Sequence, residues 1–128
     1  MKLDSIINIA RELDTAGLLW QPEIGDEVSA RENPDKISIL VDPDGLTPSK
    51  LRQTYVWLPT VEQMIFQFEA RQAILYHAGL ELQEQTYCYK TVVKTQLGHI
   101  EARALSLRNS LGIALRDLLL TRNKDCVH

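Results

Sequence analysis

Leu80-Glu81-Leu82-Gln83-Glu84-Gln85-Thr86-Tyr87-Cys88-Tyr89-Lys90-Thr91-Val92-Val93-Lys94-Thr95 decides the fold. Leu80 to Gln83 alternates apolar and polar residues with period two. Tyr87 to Thr95 is rich in aromatic and β-branched side chains, which favour a pleated, half-buried surface. Two readings stand: one long bent strand, or a hairpin turning near Gln83-Glu84-Gln85. No Asn-Gly pair marks such a turn. In both readings, extended chain lies between two segments of helical period.

Upstream, Thr60 and Gln63 form a capping box. Val61, Met64, Ile65, Phe68 and Leu75 then share one face, widened by Phe66, Ala70, Ala73 and Ile74. This pattern predicts a largely buried helix over about 60–78, stopped by Gly79. Downstream, Gly98-His99 breaks the strand. Ile100, Ala104, Leu107, Leu111, Ala114, Leu115 and Leu118 predict a helix over about 99–121, with Gly112 as a place where another element can approach closely. At the N-terminus, Leu3, Ile6, Ile7, Ala10 and Leu13 predict a helix over about 4–16, capped by Asp4 or Ser5 and stopped by Gly17.

The segment between is broken by Pro22 and Gly25. Trp20 and Ile24 are expected to tuck a loop onto the core, and Val28 to begin a short strand. Ile37–Val41 reads as a strand ended by the turn Asp42-Pro43-Asp44-Gly45. Thr47-Pro48 starts one helical turn. Tyr55-Val56-Trp57-Leu58 is a strand or a buried connector. The periodicity assigns Trp20 and Trp57 to neither core nor interface. The expectation is an α+β fold: a small, mainly antiparallel sheet of 3–4 strands packed with three main helices. One domain covers 1–128, with an N-terminal part over 1–54, a helix-strand-helix core over 55–122 and a frayed tail over 123–128.

The 128 residues are 45% apolar and 24% charged, which excludes a disordered or fibrous class. Lys and Arg number 14 against 17 Asp and Glu, a net charge of −3, which disfavours a nucleic-acid binder. No apolar run approaches the roughly 20 residues of a membrane span, and Asp4 and Asn8 interrupt any signal-peptide core. A cytoplasmic location without membrane contact is expected. Cys88 and Cys126 lie outside any CxxC pattern and read as reduced thiols.

Reactive constellations are missing. Asp42-Pro43-Asp44-Gly45 lacks the ligands of a calcium loop, because Gln53 stands where its closing Glu belongs. Gly25-Asp26-Glu27 reads as an exposed acidic loop. His77, His99 and His128 have no HxxxH or HExxH partner. Convergence of Cys88 with His77 and His99 would give a nucleophile and base, and Arg71 or Arg103 beside them in a pocket would mark a ligand site. No GxSxG, SxxK, GxGxxG or P-loop occurs. Tyr87 and Tyr89 share one strand face, and Lys90 and Lys94 the other. Base stacking on such tyrosines would give an RNA-binding surface, while core or cross-strand packing is the simpler reading. Arg71, Arg103, Arg108 and Arg116 form no single stripe and read as a solvated face. The sequence assigns no catalytic residue, no metal ligand and no cofactor.

Tyr55-Val56-Trp57-Leu58-Pro59-Thr60 leading into a helix, a polar strand region and a final helix with Ala114-Leu115-Arg116-Asp117-Leu118-Leu119 resembles small phage-associated α-β-α sandwich domains over about 55–120. The resemblance implies a fold and carries over no catalytic residues. The function expected is a non-catalytic interaction or accessory domain of bacterial or phage type, its partner another protein or a second copy in a homodimer. The alternative is a small-ligand enzyme or sensor. RNA binding through Tyr87–Lys94 ranks third.

Overall fold

The computed structural model describes residues 5–42 and 45–125. Along the chain come α1 (Ile6–Thr15), β1 (Glu27–Ala30), β2 (Ile37–Ile39), α2 (Pro48–Thr54), β3 (Tyr55–Trp57), α3 (Val61–Ala70), β4 (Ile74–Gln83), β5 (Thr86–Thr95), β6 (Gly98–Ala104) and α4 (Leu107–Asp125). The strands form two three-stranded antiparallel sheets, ordered β2-β1-β3 and β4-β5-β6. The fold is α+β, with four helices and two sheets in place of the three helices and single sheet expected. Leu3, Asp4, Pro43, Asp44, Cys126 and His128 lie outside the described residues, as do the side chains of 123–125.

α1 matches its sequence signals. The Ser5 hydroxyl accepts the Asn8 N–H at 3.2 Å. At the other end Leu18 N–H donates to Leu13 O and Gly17 N–H to Asp14 O, with Gly17 at φ +101°. This is the Schellman closure, which seats its C′ residue in the left-handed region.

α3 corrects the expected helix over 60–78. The capping box forms, with Thr60 and Gln63 exchanging bonds of 2.9 and 3.2 Å. The helix nevertheless ends at Ala70, by the same closure as α1: Ala73 N–H donates to Phe68 O and Gln72 N–H to Glu69 O. Here the left-handed residue is Gln72, at φ +57°. A glutamine carries no stop signal, so the sequence reading ran on to Gly79, which lies inside β4. Phe66 and Ala70 are exposed, so the helix is also less buried than expected.

The helix expected over 99–121 begins at Leu107, where Ser106 Oγ accepts the Asn109 N–H at 3.1 Å. Residues 98–104 form β6, joined to β5 by the two-residue turn Gln96-Leu97. A spacing of four, as between Ile100 and Ala104, is one helical turn and also two strand repeats. The hairpin reading of 80–95 holds and extends back to Ile74, with Glu84-Gln85 at the turn. The strand expected over 37–41 covers Ile37–Ile39, and Tyr55–Trp57 pairs with β1.

α4 lies across the β4-β5-β6 sheet, flanked by α1 and α3. Leu111, Ala114 and Leu115 are fully buried against Ile9, Met64, Phe68 and Val93. Thr91 and Ser110, both fully buried, share a hydroxyl hydrogen bond of 2.7 Å, and Ser110 also donates to Ala102 O at 3.3 Å. A Cβ on Gly112 would stand 2.7 Å from Cγ2 of Ile9, so the glycine lets α1 cross α4. A smaller cluster of Trp20, Val28, Leu40 and Leu51 joins the first sheet to the loop before it. Trp20 is thus core, whereas Ile24 is 72% exposed and does not tuck in. Among the described residues, no helix is long and apolar enough to cross a membrane.

Two substitutions test these local arguments by chemical denaturation. Gly112→Ala is expected to lower the unfolding free energy by about 1 kcal/mol or more, since crowding a packed core costs about 1–3 kcal/mol and outweighs the helix propensity gained. Gln72→Gly is expected to raise it by about 0.5–1 kcal/mol, because glycine takes the left-handed seat without the Cβ penalty. A stabilised Gly112→Ala or a destabilised Gln72→Gly contradicts the respective account.

Candidate functional site

Strand register sorts the reactive residues onto the two faces of the β4-β5-β6 sheet. His77 pairs with Val92, Glu81 with Cys88, Lys90 with Arg103 and Lys94 with His99. All of these lie on the face away from α4. Neither histidine borders a helix, as the sequence reading had it: both sit in strands. Cys88 is six residues along β5 from the partner of His99, about 20 Å at strand rise, and His77 is four residues along β4 from the partner of Cys88, about 13 Å. The nucleophile and base are not assembled. Among the described residues, no group of three or more His, Cys, Asp or Glu side chains is placed to hold a metal ion.

This face carries a charge lattice. Glu81 receives Lys90 Nζ at 3.8 Å and Arg103 Nε at 3.2 Å, and Glu101 receives the same two cations at 4.0 and 3.7 Å. These partly exposed pairs are each worth about 0–1 kcal/mol. Lys94 Nζ lies 3.8 Å from the centroid of the Tyr76 ring, a cation–π contact. The lysines of the RNA-binding reading are thus engaged on one face, while Tyr87 and Tyr89 project from the other.

That other face begins as core and ends as open surface. Ala78, Thr91 and Ala102 meet the helices, and Leu80, Leu82, Tyr87 and Tyr89 continue the same rows beyond them. Leu80, Leu82 and Tyr87 are 55%, 57% and 64% exposed. β4 is also an edge of its sheet. Its ten residues contain no Pro and no Lys, and its one carboxylate, Glu81, is already neutralised. A register irregularity between Leu75 and His77 interrupts the first part of β4, while His77 to Gln83 pairs without a break. The other edges are charged or short: β6 carries Glu101 and Arg103, and β2 and β3 are each three residues long.

Gly25-Asp26-Glu27 is not an exposed acidic loop. Asp26 is 6% exposed, and its carboxylate accepts Trp20 Nε1, Glu23 N–H and Gln63 Nε2, each at 2.9 Å. Glu27 points elsewhere, to Arg108 Nη2 at 2.8 Å. Arg108 also donates to Leu58 O and Pro59 O, so it is a clamp and no part of a solvated face. Trp57 is half-buried between the two cores, and its Nε1 is buried without a partner. It lines a cavity of about 400 Å³ with Asp26, Gln63, Phe66, Gln67 and Arg71.

Arg71 caps α3 and also lines a second cavity of about 400 Å³, between the α3 end, the β5–β6 turn and the last turns of α4. Its Nη1 donates to the backbone and side-chain oxygens of Gln67. Arg122 Nη2 donates to Arg71 O. Burial, and then the positive charge of Arg122, pull the Arg71 guanidinium below its usual value. Arg116 shows the opposite balance. Burial lowers it, but hydrogen bonds to Glu12 and Asp117 outweigh that and raise it. Neither cavity lined by Arg71 contains His77, His99 or Cys88. The sequence marks Arg122 only as a cation suited to the end of the last helix, and nothing in it points to the place where the helices stop covering the sheet.

The two tryptophans provide a paired test. Trp20→Phe leaves Asp26 a donor short in a buried site, whereas Trp57→Phe deletes an N–H that has no partner. Trp20→Phe is expected to cost about 1–3 kcal/mol more than Trp57→Phe in urea unfolding. Equal losses would mean that the Asp26 bond contributes nothing.

No family model matches the chain, and no curated protein or solved structure matches it.

Proposed function

We propose that this chain is a non-catalytic interaction domain that self-associates through the β4 edge. The observation that carries the reading is the overhang of Leu80, Leu82 and Tyr87, exposed along the unbroken 77–83 stretch of the edge strand β4. Two β4 strands pairing antiparallel about a two-fold axis normal to the sheet form a continuous six-stranded sheet. That axis keeps equivalent faces on the same side. Leu80, Leu82, Tyr87 and Tyr89 of both copies then merge into one apolar strip, free of charge repulsion. The occupant is a second copy because the edge is complementary to itself in both register and apolarity. An accessory role of bacterial or phage type suits such a domain.

The alternative, a small-ligand enzyme, lacks an assembled nucleophile or base among the described residues. RNA binding lacks cations on the face of Tyr87 and Tyr89.

Sedimentation velocity across a concentration series tests the reading. The unsubstituted chain is expected to pass from monomer to dimer, and the double variant Leu80→Lys, Leu82→Lys to stay monomeric with an unchanged melting temperature, because both side chains are exposed. A chain that stays monomeric at the highest soluble concentration, or a double variant that dimerises as before, overturns it.

A further inference from the structure

We propose that the cavity between the C-terminal end of α3, the β5–β6 turn and the last turns of α4 binds a small phosphate-bearing molecule through Arg71 and Arg122. Both arginines line this cavity, and Arg122 donates to the backbone oxygen of Arg71. Neither meets a carboxylate among the described residues. Arg31, Arg103, Arg108 and Arg116 each meet one within 4.0 Å, while Arg11 and Arg52, also without one among the described residues, line other parts of the surface. The carbonyl and amide oxygens that Arg71 and Arg122 do contact orient them without cancelling their charge.

Two like charges that line one cavity repel each other, and an anion in that cavity offsets the repulsion. The donors are in place. Among the described residues, Arg71 keeps its Nε–H and both Nη2–H groups unpartnered, and Arg122 its Nε–H and Nη1–H groups. Paired planar guanidinium forks match phosphate oxygens bidentately. The volume, about 400 Å³, lies in the range of small-molecule sites and exceeds that of a bare phosphate. Leu97, Leu118 and Ala73 supply an apolar wall for an organic part, and Leu97 is 68% exposed with nothing over it. The net charge of −3 sets the chain against long polyanions, so a small ligand is favoured over a nucleic acid.

Titration of isotope-labelled protein with pyrophosphate and with ribose 5-phosphate, followed by backbone amide NMR, tests the site. The Leu80→Lys, Leu82→Lys variant serves as an alternative background, so that failure of the dimer reading and failure of this one are separable. Saturable shifts are expected at residues 71–73, 95–98 and 121–122. Arg71→Gln and Arg122→Gln are each expected to weaken binding about tenfold or more, while Lys36→Gln, on the far turn between β1 and β2, leaves it unchanged. If either arginine variant unfolds, the amide map of the unsubstituted chain still decides. Absence of saturable shifts, shifts centred elsewhere, equal binding of succinate, or tighter binding of single-stranded RNA at these residues each overturns the proposal.

Discussion

The carboxylate of Asp26 organises the N-terminal half of the molecule. A buried carboxylate is costly unless its oxygens are hydrogen-bonded. Here the three donors come from the preceding loop, through Trp20 and Glu23, and from α3, through Gln63. Those segments must converge for the charge to be tolerated. Gln63 serves two ends at once, closing the α3 capping box with Thr60 while donating to Asp26. The first turn of α3 is thereby fixed against the first sheet. The next residue, Glu27, extends the arrangement to α4 through Arg108, which also grips the backbone at Leu58 and Pro59. Adjacent acidic residues thus tie two different helices to one strand.

The second sheet divides its duties by strand parity. Odd positions of β5 face α4, where Val93 packs and Thr91 shares its hydroxyl bond with Ser110. Even positions face away, where Lys90 joins a lattice with Glu81 of β4 and Glu101 and Arg103 of β6. The helices cover only part of the first face. The hairpin runs past them and leaves Leu80 and Leu82 on the edge strand, and Tyr87 beside them, exposed. Paired charges thus occupy one face, while the uncovered end of the other carries exposed apolar side chains.

Much of this was legible from residue order. The Gly17 stop and the Ser5 cap bounded α1, Thr60 and Gln63 started α3, and Gly112 marked a close approach that proves to be the crossing with Ile9. Extended chain over 80–95 was readable from period-two alternation and β-branched content, and the pairing of β4 with β5 decided for a hairpin over one bent strand. The misplaced boundaries share one cause. Ile100 and Ala104, four residues apart, satisfy helical and extended periods alike, so β6 was absorbed into the following helix. The end of α3 was hidden because the left-handed seat of its closure is filled by Gln72 and not by glycine. The burial of Asp26 had no local signal, since its three partners come from six residues before it, three before it and 37 after it.

By itself, the sequence determined what depends on neighbouring residues: which segments are amphipathic, where caps and glycine stops lie, and that extended chain rich in β-branched residues must join a sheet. Only the tertiary structure decided what depends on distant pairings. It split the strands into two sheets and turned 74–78 and 98–104 from helix to strand by offering them hydrogen-bonding partners on β5. It placed His77, His99 and Cys88 on one face but too far apart to react together, and it brought Arg71 and Arg122 to one cavity where neither meets a carboxylate among the described residues. Periodicity and capping act over a few residues and are written locally. Burial, charge pairing and the uncovered hairpin face are set by elements tens of residues apart, which only the folded chain brings together.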